Sequence, residues 1–184
     1  INFVPSTFGG AGQAKLVSWA GGEWYTATLA PDGRGTFDLG ALSRVDLNPA
    51  VAGVQNVPGG PEGFVYIAAG NAGFGANAML ISEYSAGAVG AYEVDAQGNP
   101  LVASRRTFLS GLTGAEGATI DPLTGDFLFS TFGGGSRVVR VSGFTVSVDP
   151  TQPPVGAIPE PSTWALMLLG LAAGAGFVRR PREG

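Results

Sequence analysis

A chain of 184 residues without His or Cys excludes disulfides, thiolate nucleophiles, zinc sites built on Cys or His, and catalytic triads that use imidazole as base. Its 31 Gly, 13 Pro and 13% charged residues point to short strands and tight turns, enough for one core plus a tail. Net charge is −4, and residues 1–158 hold seven basic against twelve acidic side chains while residues 159–184 hold three against two, so the acidic body argues against a nucleic-acid partner.

The chain opens Ile1-Asn2-Phe3-Val4-Pro5, with no initiator Met, basic n-region or apolar h-region. The expectation is a processed chain or a fragment. Residues 1–149 look β-rich. Glu23–Leu29 is rich in aromatic and β-branched residues, turns through Pro31-Asp32-Gly33-Arg34-Gly35 and returns over Thr36–Leu39, a hairpin pattern. Val89–Val94 running into Asp95–Pro100 repeats the logic. So does Ala118–Ile120, which turns through Asp121-Pro122-Leu123-Thr124-Gly125 into Asp126–Ser130. Pro122 suits the second position of a type I turn, and Gly125 the left-handed position that closes it. Ser136–Val141 and Phe144–Val148 complete the strands. No stretch before Pro150 sustains a capped helical period over three turns.

Two internal echoes suggest a repeat. Ser6-Thr7-Phe8-Gly9-Gly10 recurs at Ser130-Thr131-Phe132-Gly133-Gly134, and Glu62-Gly63 recurs as Glu116-Gly117, 54 positions later. After each Glu-Gly pair come a strand, a Ser followed by an aromatic (Ser82/Tyr84 and Ser130/Phe132), a Gly-rich gap and a strand ending in Val. A multi-strand repeat of this length suits a propeller blade, and Ala115–Asp126 resembles the hairpins of NHL-type propeller repeats. The fold class expected is mainly β, a β-propeller-like or β-sandwich body. Three blades fall short of the usual ring of about four to eight, so a propeller implies N-terminal blades outside this sequence.

Carboxylates are the main chemistry available. Asp121 and Asp126 flank one turn, and Glu62 and Glu116 precede matching strands; paired acids can hydrolyse a glycosidic bond, and clustered oxygens can hold Ca²⁺. Backbone hydrogen bonding in a hairpin accounts for turn Asp equally well. Phosphate-loop, dinucleotide and EF-hand patterns are missing, and Asp95-x-x-Gly98-Asn99 is too short for a calcium loop. The expectation is no catalytic residue, no cofactor and no metal. Trp19, Trp24 and Tyr25 are candidates for stacking on sugars, although such residues more often fill a β core.

Residues 150–161 form a Pro-rich linker ending in Pro159-Glu160-Pro161, and residues 162–184 are apolar and then basic. Trp164–Val178 is an uncharged run of fifteen. As a helix it spans about 22 Å against a hydrocarbon core of ~30 Å. Pro161 followed by Ser162-Thr163 is a helix start with a capping hydroxyl. Trp164 occupies one interface position, Leu166, Leu168, Leu169, Leu171 and Phe177 supply the apolar anchor, and Arg179, Arg180 and Arg182 form the basic stop. The reading is a single C-terminal transmembrane helix in contact with membrane lipid. The positive-inside rule keeps the arginines cytoplasmic and places residues 1–149 across the membrane.

Pro159-Glu160-Pro161-Ser162-Thr163-Trp164, the short apolar segment and the Arg cluster together resemble the PEP-CTERM sorting domain, also labelled the ice-binding protein C-terminal domain. The tail is similar in logic to LPXTG tails. The resemblance implies an exosortase-type membrane enzyme as partner, with Pro159, Glu160 and Pro161 as the signature tripeptide. It also implies export to the cell surface or medium after tail cleavage, with exopolysaccharide as a further partner. The function expected is a non-catalytic, surface-targeted β-domain. The alternative is a propeller enzyme, or a ligand-binding propeller whose site lies partly in missing N-terminal blades.

Overall fold

Alternating side chains and Gly-rich turns build sheets from short strands that return on themselves. A computed structural model describes residues 1–144 of the chain. The first sheet runs β1 (Asn2–Phe3), β2 (Ala14–Val17), β3 (Trp24–Pro31) and β4 (Phe37–Val45). The second runs β5 (Pro61–Ile67), β6 (Ala78–Glu83), β7 (Ala88–Glu93) and β8 (Arg106–Ser110), and the third runs β9 (Ala115–Ile120), β10 (Phe127–Thr131) and β11 (Val138–Val141). Every pairing is antiparallel between sequence neighbours, so each sheet is a meander. The helical content among the described residues is one 3-10 turn, Val102–Ser104.

The second sheet is the middle layer, and β6 shows why. Its six residues are all buried, and alternation sends them to opposite faces. Met79 and Ile81 join Trp24 of β3, Phe64 and Tyr66 of β5 and Tyr92 of β7 in one core. Leu80 faces the other way, with Val89 and Ala91, into a core completed by Phe127 and Phe129 of β10. Phe74, Phe108 and Phe144 add rings there, Phe127 and Phe144 stacking with centroids 5.0 Å apart. A strand buried on both faces cannot keep a clean apolar–polar alternation, which is why Ala78–Glu83 reads as a nearly continuous apolar run.

Equivalent contacts recur from sheet to sheet. The Val57 amide donates to the Gly22 carbonyl and the Leu112 amide to the Gly87 carbonyl, both at 2.9 Å. The Tyr84 amide donates to Gly60 O and the Phe132 amide to Gly114 O, both at 2.7 Å. In each case the turn after a sheet's second strand is tied to the segment that leads into the next sheet, or to the one that leads into its own. The second and third sheets then meet backbone to backbone. A Cβ on Gly63 would stand 2.5 Å from Glu116 O and 2.8 Å from Ala118 N. Ser82 Oγ donates to Gly117 O at 3.0 Å, while the Gly117 amide donates to Ser130 Oγ at 2.8 Å.

These contacts sort the two sequence echoes. Glu62-Gly63 and Glu116-Gly117 occupy the same place, near the start of a sheet's first strand. The verbatim echo does not: Ser6–Gly10 lies between β1 and β2, whereas Ser130–Gly134 ends β10 and enters the β10–β11 turn. The hairpin expected at Glu23–Leu39 is β3–β4, and that at Ala118–Ser130 is β9–β10. After Val94 the expected return is only an isolated bridge, Val94 to Pro100. Pro100 has no amide to donate to a ladder, and pairing resumes in β8. Residues 145–148 of the expected Phe144–Val148 strand lie outside the described residues, as do the linker 150–161 and the helix expected in 162–184. Among the described residues, no helix is long and apolar enough to cross a membrane.

The Gly63 contact gives a direct stability test. Gly63→Ala is expected to force β5 and β9 apart and cost about 1–3 kcal/mol, the usual scale for overpacking. Urea unfolding of Gly63→Ala beside Gly75→Ala, where a Cβ would meet nothing within 4 Å, separates this clash from a general effect of removing glycine.

Candidate functional site

The sequence places its functional residues at two locations. Pro159, Glu160, Pro161, Trp164, Leu166, Leu168, Leu169, Leu171, Phe177, Arg179, Arg180 and Arg182 lie outside the described residues. The carboxylates and aromatics of the body lie within them, and the structure separates buried joints from open surface.

Two buried polar networks were not foreseen in the sequence. The chain's one lysine, Lys15, is 1% exposed. Its Nζ donates to Thr26 Oγ1 at 2.7 Å and to Asn99 Oδ1 at 2.8 Å, and Trp24 Nε1 donates to the same Asn99 oxygen at 3.1 Å. Asp95 holds Asn99 in place by accepting from its amide and from its Nδ2. The network therefore fastens β2 and β3 to the turn that follows β7. Burial lowers the Lys15 pKa from its ordinary value, and the nearby Asp95 charge opposes that shift.

The second network centres on Glu83, which is fully buried at the end of β6. It accepts from Tyr92 OH at 2.6 Å and from Arg105 Nε at 2.8 Å, with a second Arg105 nitrogen on its other oxygen. Burial raises the Tyr92 phenol far above its usual range, with the Glu83 hydrogen bond adding to the shift. The Arg105 guanidinium is raised by the same carboxylate. Every strong partner of Glu83 is thus engaged in holding β6, β7 and the segment before β8 together. This carboxylate has no free side from which to act on a substrate.

Glu62 and Glu116 are the acids that the repeat brings into register, on adjacent first strands. Both are half-buried. Burial raises the Glu62 pKa above the ordinary carboxylate value, and the Glu116 charge raises it further. Asp121 and Asp126 serve their own hairpin. Asp121 accepts from the Leu123 amide at 2.9 Å and from Thr124 Oγ1 at 3.0 Å, and Asp126 pairs with Arg140 at 2.8 Å. Among the described residues no group of three acids is placed to hold a metal ion.

The aromatics proposed for stacking have different fates. Trp24 is fully buried in the first core, 4.8 Å from Phe64 between ring centroids, and is corrected from surface to core. Tyr25 is half-buried on β3. Trp19 is 52% exposed in the β2–β3 turn, edge-on to Tyr84 at 6.0 Å and 90°. It borders a cleft of about 470 Å³ whose walls include Gly21, Gly22, Pro58, Gly59, Gly60 and Ser85. Burial decides these fates. A Trp inside a strand facing another sheet is core, and one in a turn is not.

The Glu62 shift predicts a pH-dependent variant. A carboxyl whose folded pKa is raised favours the folded state while protonated, and that contribution is lost as pH rises through its folded pKa. Glu62→Gln should therefore melt slightly higher than the unmodified chain at pH 7. The difference should close as pH falls below the ordinary carboxylate range, which thermal melts between pH 3 and 7 will register.

Comparison with known proteins places the C-terminal segment. Residues 157–182 match the family described as the PEP-CTERM protein-sorting motif. No curated protein and no solved structure matches the chain.

Proposed function

We propose that the chain is an exported surface protein, handed by its C-terminal segment to an exosortase-type membrane enzyme, with a non-catalytic β body. The observation that carries this reading is the sorting-motif match over residues 157–182, where tripeptide, apolar run and Arg cluster follow in order. In the proposed route Trp164–Val178 enters the bilayer as a single span, Arg179, Arg180 and Arg182 stay cytoplasmic, and the body crosses. Cleavage near Pro159-Glu160-Pro161 then frees the body to the surface or the medium, where exopolysaccharide is its partner.

The body is proposed to be a set of propeller blades. Support comes from three consecutive meanders and from the equivalent Gly22/Val57 and Gly87/Leu112 ties between successive sheets. A non-catalytic role is supported by the acids themselves. Glu83, Asp121 and Asp126 are each engaged with neighbouring backbone or cationic groups.

Expression in hosts with and without an exosortase tests the route. With the enzyme, the body should leave the membrane fraction without its tail. Without it, or with Pro159, Glu160 and Pro161 all changed to Ala, an intact membrane-bound chain should accumulate. A reporter fused after Gly184 should be active only in the cytoplasm. An intact soluble product, or a reporter active outside, would overturn the proposal.

A further inference from the structure

We propose that the cleft beside Trp19 binds an uncharged hexopyranose polymer, with the exposed Trp19 indole as the stacking platform. This rests on the surface reading above and names the ligand class and the site. Trp19, Tyr84 and Phe132 occupy comparable places in their sheets, Trp19 two residues past β2 and the other two directly after β6 and β10. Each lies between the second strand of its sheet and the third. Trp19 stands edge-on to Tyr84, and the Tyr84 ring and the Phe132 backbone both flank Gly114. Phe132 is 62% exposed. The cleft is open along the Trp19 edge, so a polymer can lie across it with one of its sugars on the indole.

The floor of the cleft is rigid backbone. Gly22, Gly59 and Gly60 all have positive φ, and their carbonyls are held by the amides of Val57, Ala86 and Tyr84. A methyl group on Gly22 would strike Val57 O, and one on Gly60 would strike Ser85 Oγ. The floor's glycine carbonyls are engaged by these amides, and the exposed Ser85 hydroxyl on the wall is open to a ligand. An open indole beside an exposed serine hydroxyl matches a sugar ring, whose C–H face stacks while its edge hydroxyls hydrogen-bond.

Charge decides among ligands that stack. Nucleic-acid bases also stack on aromatics, but their binding is carried by cationic grooves that track the backbone. The residues lining this cleft include no charged side chain, and residues 1–158 carry a net −5. The same excess repels uronate-rich or sulfated polymers. An uncharged polymer incurs no such repulsion, and the fixed floor lowers the ordering cost of binding it. One platform binds a single sugar weakly, and a polymer offers the same sugar many times along its length.

Affinity electrophoresis of the full chain in detergent micelles tests the site, using gels cast with a soluble β-glucan, a galactomannan or alginate. Retardation by at least one uncharged polymer and none by alginate is expected. Trp19→Ala should weaken that retardation about tenfold or more, in line with the loss of a central aromatic anchor. Phe37→Ala, which removes an exposed ring on β4, should leave it unchanged. Ser85→Trp, which fills the cleft from its exposed far wall, should abolish binding and serves if Trp19→Ala proves unstable by circular dichroism. Retardation by alginate alone, none by any polymer, or full binding by both cleft variants overturns the proposal. Cell fractionation separates it from the sorting reading. A chain that stays cytoplasmic yet binds glucan in vitro sinks the sorting route alone, and a correctly sorted chain that binds no polymer sinks the cleft alone.

Discussion

The packing of the third sheet on the second depends on how closely β5 and β9 approach. Where β5 meets β9 there is no space for a side chain between the two backbones. Gly63 lies against Glu116 O and Ala118 N, and Gly117 gives both its carbonyl and its amide to serines from two different sheets. With this joint closed, Leu80 can meet Phe127 and Phe129, and the second core forms on the far side of β6. Any side chain at the joint lifts one sheet from the other, and the loss spreads through a core packed as densely as a crystal. Hydrogen bonding at Gly117 also answers a requirement that closeness imposes, because backbone groups withdrawn from water must find partners.

Buried charge fixes the remaining degrees of freedom. Glu83 with Arg105 and Tyr92 ties three segments of the second sheet, while Lys15 with Thr26 and Asn99 joins the first sheet to the second. Such groups add little net stability relative to well-packed apolar side chains, yet removing one partner costs about 3–5 kcal/mol because the other is left buried and alone. This also explains why an acidic, His-free body can hold buried carboxylate and amine without presenting either to a substrate.

Much of this was legible beforehand, and the boundary has physical causes. The hairpins at Pro31–Gly35 and Asp121–Gly125 could be read because local turn chemistry determines them. Asp32 and Asp121 bond to the amides of residues two places on, in each case within the turn itself. The Glu-Gly echo was readable because both pairs stand near the start of a sheet's first strand and leave no room for a side chain, Gly63 against the β9 backbone and Gly117 against the Ser130 hydroxyl. The Ser6–Gly10 echo misled, since identical words can serve a strand connection in one place and a tight turn in another. Lys15 and Glu83 were invisible because their partners Asn99 and Arg105 are remote in sequence and no local pattern announces them. Trp24 and Trp19, five residues apart, look alike on paper, and only the position of the opposing sheet sends one inside. Of the candidate cleft, Trp19 could be named from sequence, whereas its pairing with Tyr84 and its glycine floor follow from how sheets one and two are joined.

The burial of Lys15 reaches beyond packing. It is the only lysine in the chain, and it is shut between two sheets with its ammonium already committed to Thr26 and Asn99. A folded molecule therefore offers no ε-amino group to acylating reagents, aldehydes or reducing sugars. Lysine glycation and lysine crosslinking are thereby closed to the native fold, leaving arginine and the α-amino group as its carbonyl-reactive groups. Modification of the Lys15 amine would consequently report opening of the joint between the first and second sheets.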